Sequence, residues 1–114
     1  MTGTAAPSAG FFRILLRMVI RPEAEEEFER TWLRVGSAVT DDPGNLAQWL
    51  LRGQDEDHVY YIVSDWVDEP SFRRFENSPQ HVEHRAHLHP YRVAGSMVTM
   101  ESVYHLRGAA IGAS

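Results

Sequence analysis

The segment HVYYIVSDWVDEPSFRRFENSPQHVEH, residues 58–84, contains the clearest change from strand to helix in this sequence. Its first ten residues are rich in β-branched and aromatic side chains, which predicts a strand over His58–Val67. An acidic residue followed closely by proline is typical of a helix start, so Asp68-Glu69-Pro70-Ser71 opens a helix. Asn77-Ser78-Pro79 interrupts that helix, and Ser78 is placed to cap a further helical turn that runs toward Leu88.

Elements on both sides of this segment complete a simple pattern. Apolar runs predict further strands, and an apolar stripe of Ala24, Phe28, Trp32 and Val35 at spacings of four and three predicts an amphipathic helix. The order is therefore β-α-β-β-α-β, which is typical of a ferredoxin-like α+β domain with a four-stranded antiparallel sheet. The further strands are Phe11–Ile20, Leu46–Arg52 and Met97–Leu106, and the helix begins at Pro22 and ends at Gly36 or within Thr40–Asn45.

The strands carry apolar residues on both faces of the predicted sheet, although one layer of helices covers only one face. The last strand places Val98, Met100 and Tyr104 on one face and Met97 and Val103 on the other. A second copy of the sheet would cover the remaining apolar face, so the pattern predicts a homodimer. On the first two strands, most apolar residues lie on one face of the sheet. The apolar residues on the other face of these strands are Leu15, Val19, Trp49 and Leu51.

Length and composition exclude several classes of protein. With 114 residues the chain fits one domain, for which we expect a disordered leader at 1–10, a domain at 11–106 and a flexible tail at 107–114. A net charge of −5 argues against a nucleic-acid partner, and no apolar run approaches the ~20 residues that span a membrane. Cysteine and lysine are both absent, which excludes disulfides and lysine Schiff bases. We expect a cytoplasmic protein.

Four histidines at positions 81, 84, 87 and 89 are the most concentrated chemical signal. They are open to three interpretations: solvated or helix-capping side chains, one acid or base in a pocket, or a two-histidine metal site. The sequence contains no HExxH motif for zinc, and no glycine-rich dinucleotide fingerprint supports a bound flavin or nicotinamide.

Aromatic residues and arginines are concentrated in the same half of the chain. Trp66 shares a strand face with Tyr60 and Ile62, and both core packing and a flat apolar pocket remain open for it. The arginines are expected on a solvated, salt-bridged surface formed with nearby glutamates. These residues are Arg73, Arg74, Arg85 and Arg92, with Glu69, Glu76 and Glu83.

The segment YYIVSDWVDEPSFRRFENSPQHVEH (Tyr60–His84), which follows a PGN turn and a strand, resembles the antibiotic biosynthesis monooxygenase family. That family carries a strand ending in Trp, an acidic cap, a helix with Phe, then Ser and a histidine six residues on. The matching positions here are Trp66, Asp68/Glu69, Phe72, Ser78 and His84. The resemblance covers about residues 11–106 and implies a ferredoxin-like fold paired into a dimeric barrel.

The resemblance implies an enzyme that tailors aromatic polyketides, oxidising an anthrone-like phenol to a quinone with O₂ and without a metal or flavin cofactor. Trp66 would face the flat substrate, and His84 would take a phenolic proton, helped by His81 or Tyr91. The substrate-binding residues are expected to be Tyr60, Ile62, Phe72, His81, Tyr91 and Leu16.

This sequence departs from the family pattern at three positions. Leu16 and Ile62 stand where cofactor-free oxygenases tend to carry asparagines, and Phe72 stands where a tyrosine is sometimes found. Haem-degrading relatives would place an asparagine at Leu16 as well, which disfavours haem degradation. A polyketide cyclase, which needs an acid–base group and a pocket but no oxygen site, is therefore an alternative. A non-catalytic ligand-binding subunit is another.

Overall fold

In the computed structural model, which describes residues 10–110, the chain forms a four-stranded antiparallel sheet with three helices packed on one face. The strands lie in the order β2-β3-β1-β4, and the predicted ferredoxin-like α+β fold is confirmed. Most of the predicted leader and the end of the predicted tail, residues 1–9 and 111–114, lie outside the described residues. The elements are β1 (Phe12–Ile20), α1 (Glu25–Val39), β2 (Asn45–Arg52), β3 (Val59–Trp66), α2 (Glu69–Glu76), α3 (Pro79–Leu88) and β4 (Arg92–Glu101), with 3₁₀ turns at Pro22–Ala24 and His89–Tyr91.

Side-chain caps fix the starts of α2 and α3. The Asp68 carboxylate accepts a hydrogen bond from the backbone N–H of Ser71 at 2.8 Å, and the Ser78 hydroxyl accepts one from the backbone N–H of His81 at 3.1 Å. Each cap satisfies an N–H that has no partner within its own helix. The predicted helix starts and the break between the two helices are therefore confirmed.

The last strand was predicted at Met97–Leu106, and this range is wrong. β4 runs from Arg92 to Glu101, paired with β1 from Ile20 to Phe12. The first half of β4, RVAGS, contains only one β-branched residue and three small ones, so its sequence carries little strand signal. Pairing with β1 determines this edge strand, and Val103 and Tyr104 lie beyond its end.

Helix α1 continues through Gly36 to Val39, so the glycine does not end it. Gly36 is buried, and a Cβ at this position would lie 3.3 Å from the ring of Trp32. The Gln48 side-chain amide of β2 donates to the Gly36 carbonyl at 2.9 Å. Glycine in a helix costs about 1 kcal/mol relative to alanine, and here it allows close packing of α1 on the sheet.

The helix-facing core is divided into two clusters of buried side chains. One is built around Phe28 and Tyr60, and the other around Trp66 and Phe72. Leu16 packs against both clusters and is only partly buried itself. The space between the clusters is the cavity described below.

The opposite face of the sheet is apolar and exposed, as the sequence predicted. Trp49, Leu51, Val98 and Met100 are all exposed on this face, at 38–54% of their full accessible surface. The predicted homodimer would cover them, and it stays a prediction. Within residues 10–110, no helix is long and apolar enough to cross a membrane.

Candidate active site

A cavity of about 560 Å³ lies between the helix-facing side of the sheet and the three helices. Its volume is within the range of small-molecule sites, roughly 300–1,000 Å³. The lining residues from the sheet are Ile14, Leu16, Met18, Gln48, Ile62, Ser64, Trp66, Arg92 and Met97. The lining residues from the helices and the turn after α3 are Trp32, Val35, Gly36, Val39, Phe72, Phe75, Glu76, His81, His84, Arg85, Leu88 and His89. The lining is mainly apolar, with a few polar groups at defined places.

Six of the eight side chains expected at a site line this cavity. They are Leu16, Ile62, Trp66, Phe72, His81 and His84. Alternation along β1 and β3 brings Leu16 and Ile62 to the same face, where they are direct cross-strand partners. The structure therefore brings these residues together, while their roles stay predictions.

Tyr60 does not line the cavity, in contrast to the expectation from the sequence. Its ring is 1% exposed and packs on Phe28, with the ring centroids 5.1 Å apart. Its hydroxyl donates to Glu29 at 2.5 Å and lies 3.0 Å from Glu25. Burial and the bond to Glu29 raise the pKa of Tyr60 to about 12. The hydroxyl is thus occupied by two carboxylates of α1.

Tyr91 is also absent from the cavity lining. Its hydroxyl accepts a hydrogen bond from Thr31 at 3.3 Å and lies 3.3 Å from a Glu27 carboxylate oxygen. Like Tyr60, it is turned toward α1, because that helix presents glutamates to the end of the sheet.

Trp66 forms the aromatic end of the cavity together with α2. Its indole ring lies 5.7 Å from the ring of Phe72 and 4.8 Å from that of Phe75. The indole N–H donates to the Ser64 hydroxyl at 2.8 Å, so it is already satisfied. Trp66 offers a ligand an apolar edge but no free donor.

Ser64 is a polar group that the sequence analysis did not select. Its oxygen accepts from the Trp66 indole N–H and, at 3.4 Å, from the Asn45 amide. A hydroxyl has two acceptor positions and one hydrogen to donate. Because both acceptor positions are used, the Ser64 hydroxyl would interact with a ligand in the cavity as a hydrogen-bond donor. Gln48 lies directly opposite Ser64 in the sheet and also lines the cavity.

His84 and His81 form the titratable wall of the cavity. Burial lowers the pKa of His84, partly offset by Glu83, and the pKa of His81 is lowered by burial and by Arg85. Both pKa values fall below the ordinary 6.5, so the imidazoles are neutral at pH 7 and able to accept a proton. Nδ1 of His84 is buried and has no hydrogen-bond partner within residues 10–110. Within the described part of the chain, no carboxylate therefore orients the ring through this nitrogen.

The other two histidines differ from these. His89 lines the cavity at its exposed side, whereas His87 does not line it and faces Glu83 at 3.9 Å. Among residues 10–110, no group of three or more His, Asp or Glu side chains is arranged to hold a metal ion. The four histidines are thus not equivalent, and only His81, His84 and His89 border the cavity.

Two of the four arginines expected on a solvated, salt-bridged surface differ from that expectation, although Arg85 is exposed as expected. Arg85 and Arg92 line the cavity, and neither forms an ion pair within the described part of the chain. Glu69 and Glu76, the expected partners, both pair with Arg73 at 3.0–3.1 Å. No sequence pattern distinguishes these two arginines, because arginines on helices and strand ends are ordinarily solvated.

Comparison with known proteins identifies a matching family model, described as antibiotic biosynthesis monooxygenase, over residues 11–87. Deoxynogalonate monooxygenase of Streptomyces nogalater is 32% identical over 62 residues, which is 54% of this chain and 52% of that protein. A mycobilin-producing haem oxygenase of Mycobacterium tuberculosis is 28% identical over 86 residues, 75% of this chain and 82% of that protein. Protein SchA of Streptomyces halstedii is matched over only 21% of its length, at 28% identity and 69% of this chain.

A solved structure agrees with the fold. SnoaB of Streptomyces nogalater, described as a cofactor-independent oxygenase, superposes with a TM-score of 0.77 at 24% identity. The superposition covers 88% of this chain and 100% of SnoaB. At this identity the likeness establishes the shared fold, and the function has to be argued from the site.

Proposed function

Because the chain belongs to the antibiotic biosynthesis monooxygenase family, we propose that it is a monooxygenase that oxidises an anthrone-like phenol of aromatic polyketide biosynthesis to a quinone. The observation that carries the proposal is the partly enclosed apolar cavity with neutral histidines on its wall. The names of two relatives, a deoxynogalonate monooxygenase and a cofactor-independent oxygenase, support the same reaction class.

The proposed reaction needs few groups from the protein. His84 accepts the acidic proton of the substrate, and the resulting anion transfers an electron to O₂. Recombination of the two radicals gives a peroxide anion at the reacting carbon, and this anion takes the proton back from His84 to become a hydroperoxide. Loss of the remaining hydrogen on that carbon together with hydroxide then leaves the quinone carbonyl and water. One oxygen atom of O₂ thus enters the product and the other leaves as water. No metal or flavin is required, since the substrate anion itself is the reductant.

The cavity residues have distinct proposed roles in this reaction. Trp66, Phe72 and Phe75 hold the flat ring system, and the Ser64 hydroxyl donates to the oxygen on which negative charge develops. His81 lies one helical turn from His84 and assists proton transfer. Leu16 and Ile62 keep the site apolar, which limits the access of water to the anion.

Oxygen uptake with an anthrone such as dithranol tests the proposal, after exhaustive chelation and without added flavin. We expect uptake above the spontaneous background, with quinone as product. His84→Ala should lower the catalysed rate by about 10²-fold or more, which is the usual contribution of a general base. His87→Ala is the matched control, because His87 lies on the same helix but outside the cavity. Equal rates in the two variants would contradict the role of His84.

A cyclase is the second candidate, and one observation favours it. Leu16 and Ile62, which occupy the positions where the family resemblance expects asparagines, both line the cavity. A cyclase would need only the shaped cavity and His84 to promote an aldol condensation of a poly-β-ketone. Anthrones that bind without any oxygen uptake would favour this reaction. Binding that is unaffected by His84→Ala, without turnover, would favour a non-catalytic ligand-binding subunit.

Haem is a further ligand raised by the comparisons, since one relative is named a haem oxygenase. The apolar Leu16 argues against it, as the resemblance places an asparagine there in haem-degrading proteins. A titration with haemin distinguishes the two ligands. We expect no saturable shift of the haem absorption band at micromolar protein, and a stoichiometric shift lost in His84→Ala would replace the anthrone proposal with haem chemistry.

We also propose that the protein is a homodimer through the exposed sheet face that carries Trp49, Leu51, Val98 and Met100. Trp49 and Leu51 lie on β2, and Val98 and Met100 lie on β4. The row Trp49, Val63, Leu15 and Val98 connects these strands across β3 and β1, beside the ion pair between Arg13 and the buried Asp65. An apolar surface of this kind is typical of an interface. Light scattering on the purified protein measures the oligomeric state directly.

A further inference from the structure

Positively charged side chains are concentrated at one end of the cavity, and the proposed reaction does not involve them. Arg85, His89 and Met97 are exposed residues of the lining and Arg92 is partly buried, so these residues lie at the solvent-accessible end of the cavity. Glu76 is the carboxylate that lines the cavity, and it is paired with Arg73 at 3.0 Å. Although the chain carries a net charge of −5, this end therefore has two guanidinium groups without an ion-pair partner within residues 10–110.

Arg92 is held in place by the backbone around it. It is the first residue of β4 and the register partner of the buried Ile20. The backbone N–H of Arg21 donates to the carbonyl of Tyr91 at 2.9 Å, which fixes the chain just before Arg92. Arg92 is partly buried and lines the cavity, so its side chain reaches inward from the sheet end.

Gly95 provides the space into which this guanidinium folds. A Cβ built on Gly95 would lie 2.6 Å from Nη1 of Arg92, which is closer than atoms can approach. The guanidinium therefore lies directly over the Gly95 backbone, along the cavity side of β4. Met18, the cross-strand partner of Gly95, is apolar and provides no charge to balance it.

We propose, building on the function proposed above, that Arg92 positioned over Gly95 is a specificity-determining subsite for a carboxylate group on the polycyclic substrate. A guanidinium presents a planar fork of N–H donors that matches a carboxylate in two parallel hydrogen bonds. Arg85 supplies a second positive charge at the same end of the cavity. The substrate is thus an aromatic acid, bound with its ring system toward Trp66 and its carboxylate toward the open end.

A carboxylate fits this subsite better than a phosphate. A phosphate presents three terminal oxygens and is usually held by several backbone N–H groups or a helix N-terminus. The cavity side chains near Arg92 along the sheet are Met18 and Met97, which donate no hydrogen bonds. The planar fork of Arg92 beside these apolar side chains, with Arg85 as a second positive charge, is suited to a planar anion attached to an apolar body.

A matched pair of ligands tests this subsite by calorimetric titration at pH 7.5. Rhein and aloe-emodin share the same dihydroxyanthraquinone rings, and rhein has a carboxylate where aloe-emodin has a hydroxymethyl group. We expect the full-length protein to bind rhein about tenfold more tightly, the factor that one solvent-accessible charge-assisted contact supplies. Arg92→Gln should remove this preference by weakening rhein binding while leaving aloe-emodin binding unchanged.

Gly95→Ala provides a second variant that keeps every charge. The new methyl group would displace the flexible end of Arg92, and Gly95 has no positive φ that would strain alanine. It should therefore weaken rhein binding as Arg92→Gln does, without unfolding the protein. Arg30→Gln is the control for a simple change of net charge, because Arg30 is exposed on α1 and outside the cavity.

The outcomes distinguish a failure of the carboxylate subsite from a failure of the proposed function. Loss of the rhein preference in both cavity variants, with Arg30→Gln unchanged, would support the carboxylate subsite. Equal affinity of the unmodified protein for rhein and aloe-emodin would overturn the subsite and leave the proposed function standing. Binding of neither ligand would overturn the aromatic-substrate proposal, and the subsite that depends on it would be overturned as well.

Discussion

The hydrogen bond between Trp66 and Ser64 gives the most direct test of how the aromatic end of the cavity is built. Ser64 is 8% exposed and Trp66 is 1% exposed, so Ser64→Ala would leave the indole N–H buried without an acceptor. A buried donor without a partner costs ~1–3 kcal/mol of folding free energy. The Asn45 amide would lose little, because it also donates to the Asp65 carbonyl at 3.2 Å.

The expected change can be measured by thermal unfolding at a fixed protein concentration. A loss of 1 kcal/mol lowers Tm by about 4–8 °C in a domain of roughly 60–100 residues, so Ser64→Ala should lower Tm by about 4 °C or more. Ser37→Ala is the control. Ser37 is exposed on α1 and donates only to the Leu33 carbonyl, and its loss should change stability by less than about 0.5 kcal/mol.

A double-mutant cycle isolates the contact itself. In a Trp66→Phe background no indole N–H remains to be satisfied, so Ser64→Ala should then cost less than about 0.5 kcal/mol. A Ser64→Ala effect that is the same with Trp and with Phe at position 66 would refute this reasoning. The hydrogen bond would then contribute nothing, and the Ser64 hydroxyl would have no defined orientation in the cavity.

Three further predictions concern the site and the sheet. The His84 imidazole must be neutral to accept a proton, and burial lowers its pKa. The rate of anthrone oxidation should therefore fall with decreasing pH only below 6.5, the ordinary pKa of histidine. A pH–rate profile in which the rate already falls above pH 6.5 would contradict this. Arg13→Met should lower the free energy of unfolding by ~1–3 kcal/mol, because it leaves the buried carboxylate of Asp65 unpaired. Adding Asp65→Asn to this variant should recover part of the loss, which denaturant titrations measure. Trp49→Arg should convert the proposed dimer to monomers in light scattering, whereas Leu33→Arg on α1 should not; a dimer retained in Trp49→Arg would place the interface elsewhere.

Sequence patterns predicted the fold well where local chemistry is strong. The starts of α2 and α3 could be predicted because Asp68 and Ser78 are their side-chain caps, and a cap acts within three residues of itself. The last strand was misplaced because its first half contains small residues that only pairing with β1 makes into a strand. Long-range pairing leaves no local signature in such a segment.

Only part of the candidate site was predicted, because the rest depends on contacts between residues that are far apart in sequence. Period-two alternation is sufficient to bring Leu16, Ile62 and Trp66 to the helix-facing side of the sheet. The tyrosines lie outside the cavity lining because their hydroxyls bond to side chains that α1 presents to them, and these include glutamates. The positions of Ser64 and Arg92 in the cavity follow from neighbours far away in sequence.

Oxygen-isotope labelling during anthrone turnover tests the central claim most directly. With ¹⁸O₂ in ordinary water, chelated and flavin-free protein should form quinone that carries one ¹⁸O atom, at a rate proportional to protein concentration. This protein-dependent rate should be retained in His87→Ala and lost in His84→Ala. A protein-dependent product without ¹⁸O, or labelling no faster than in the protein-free control, would contradict a monooxygenase reaction in this cavity.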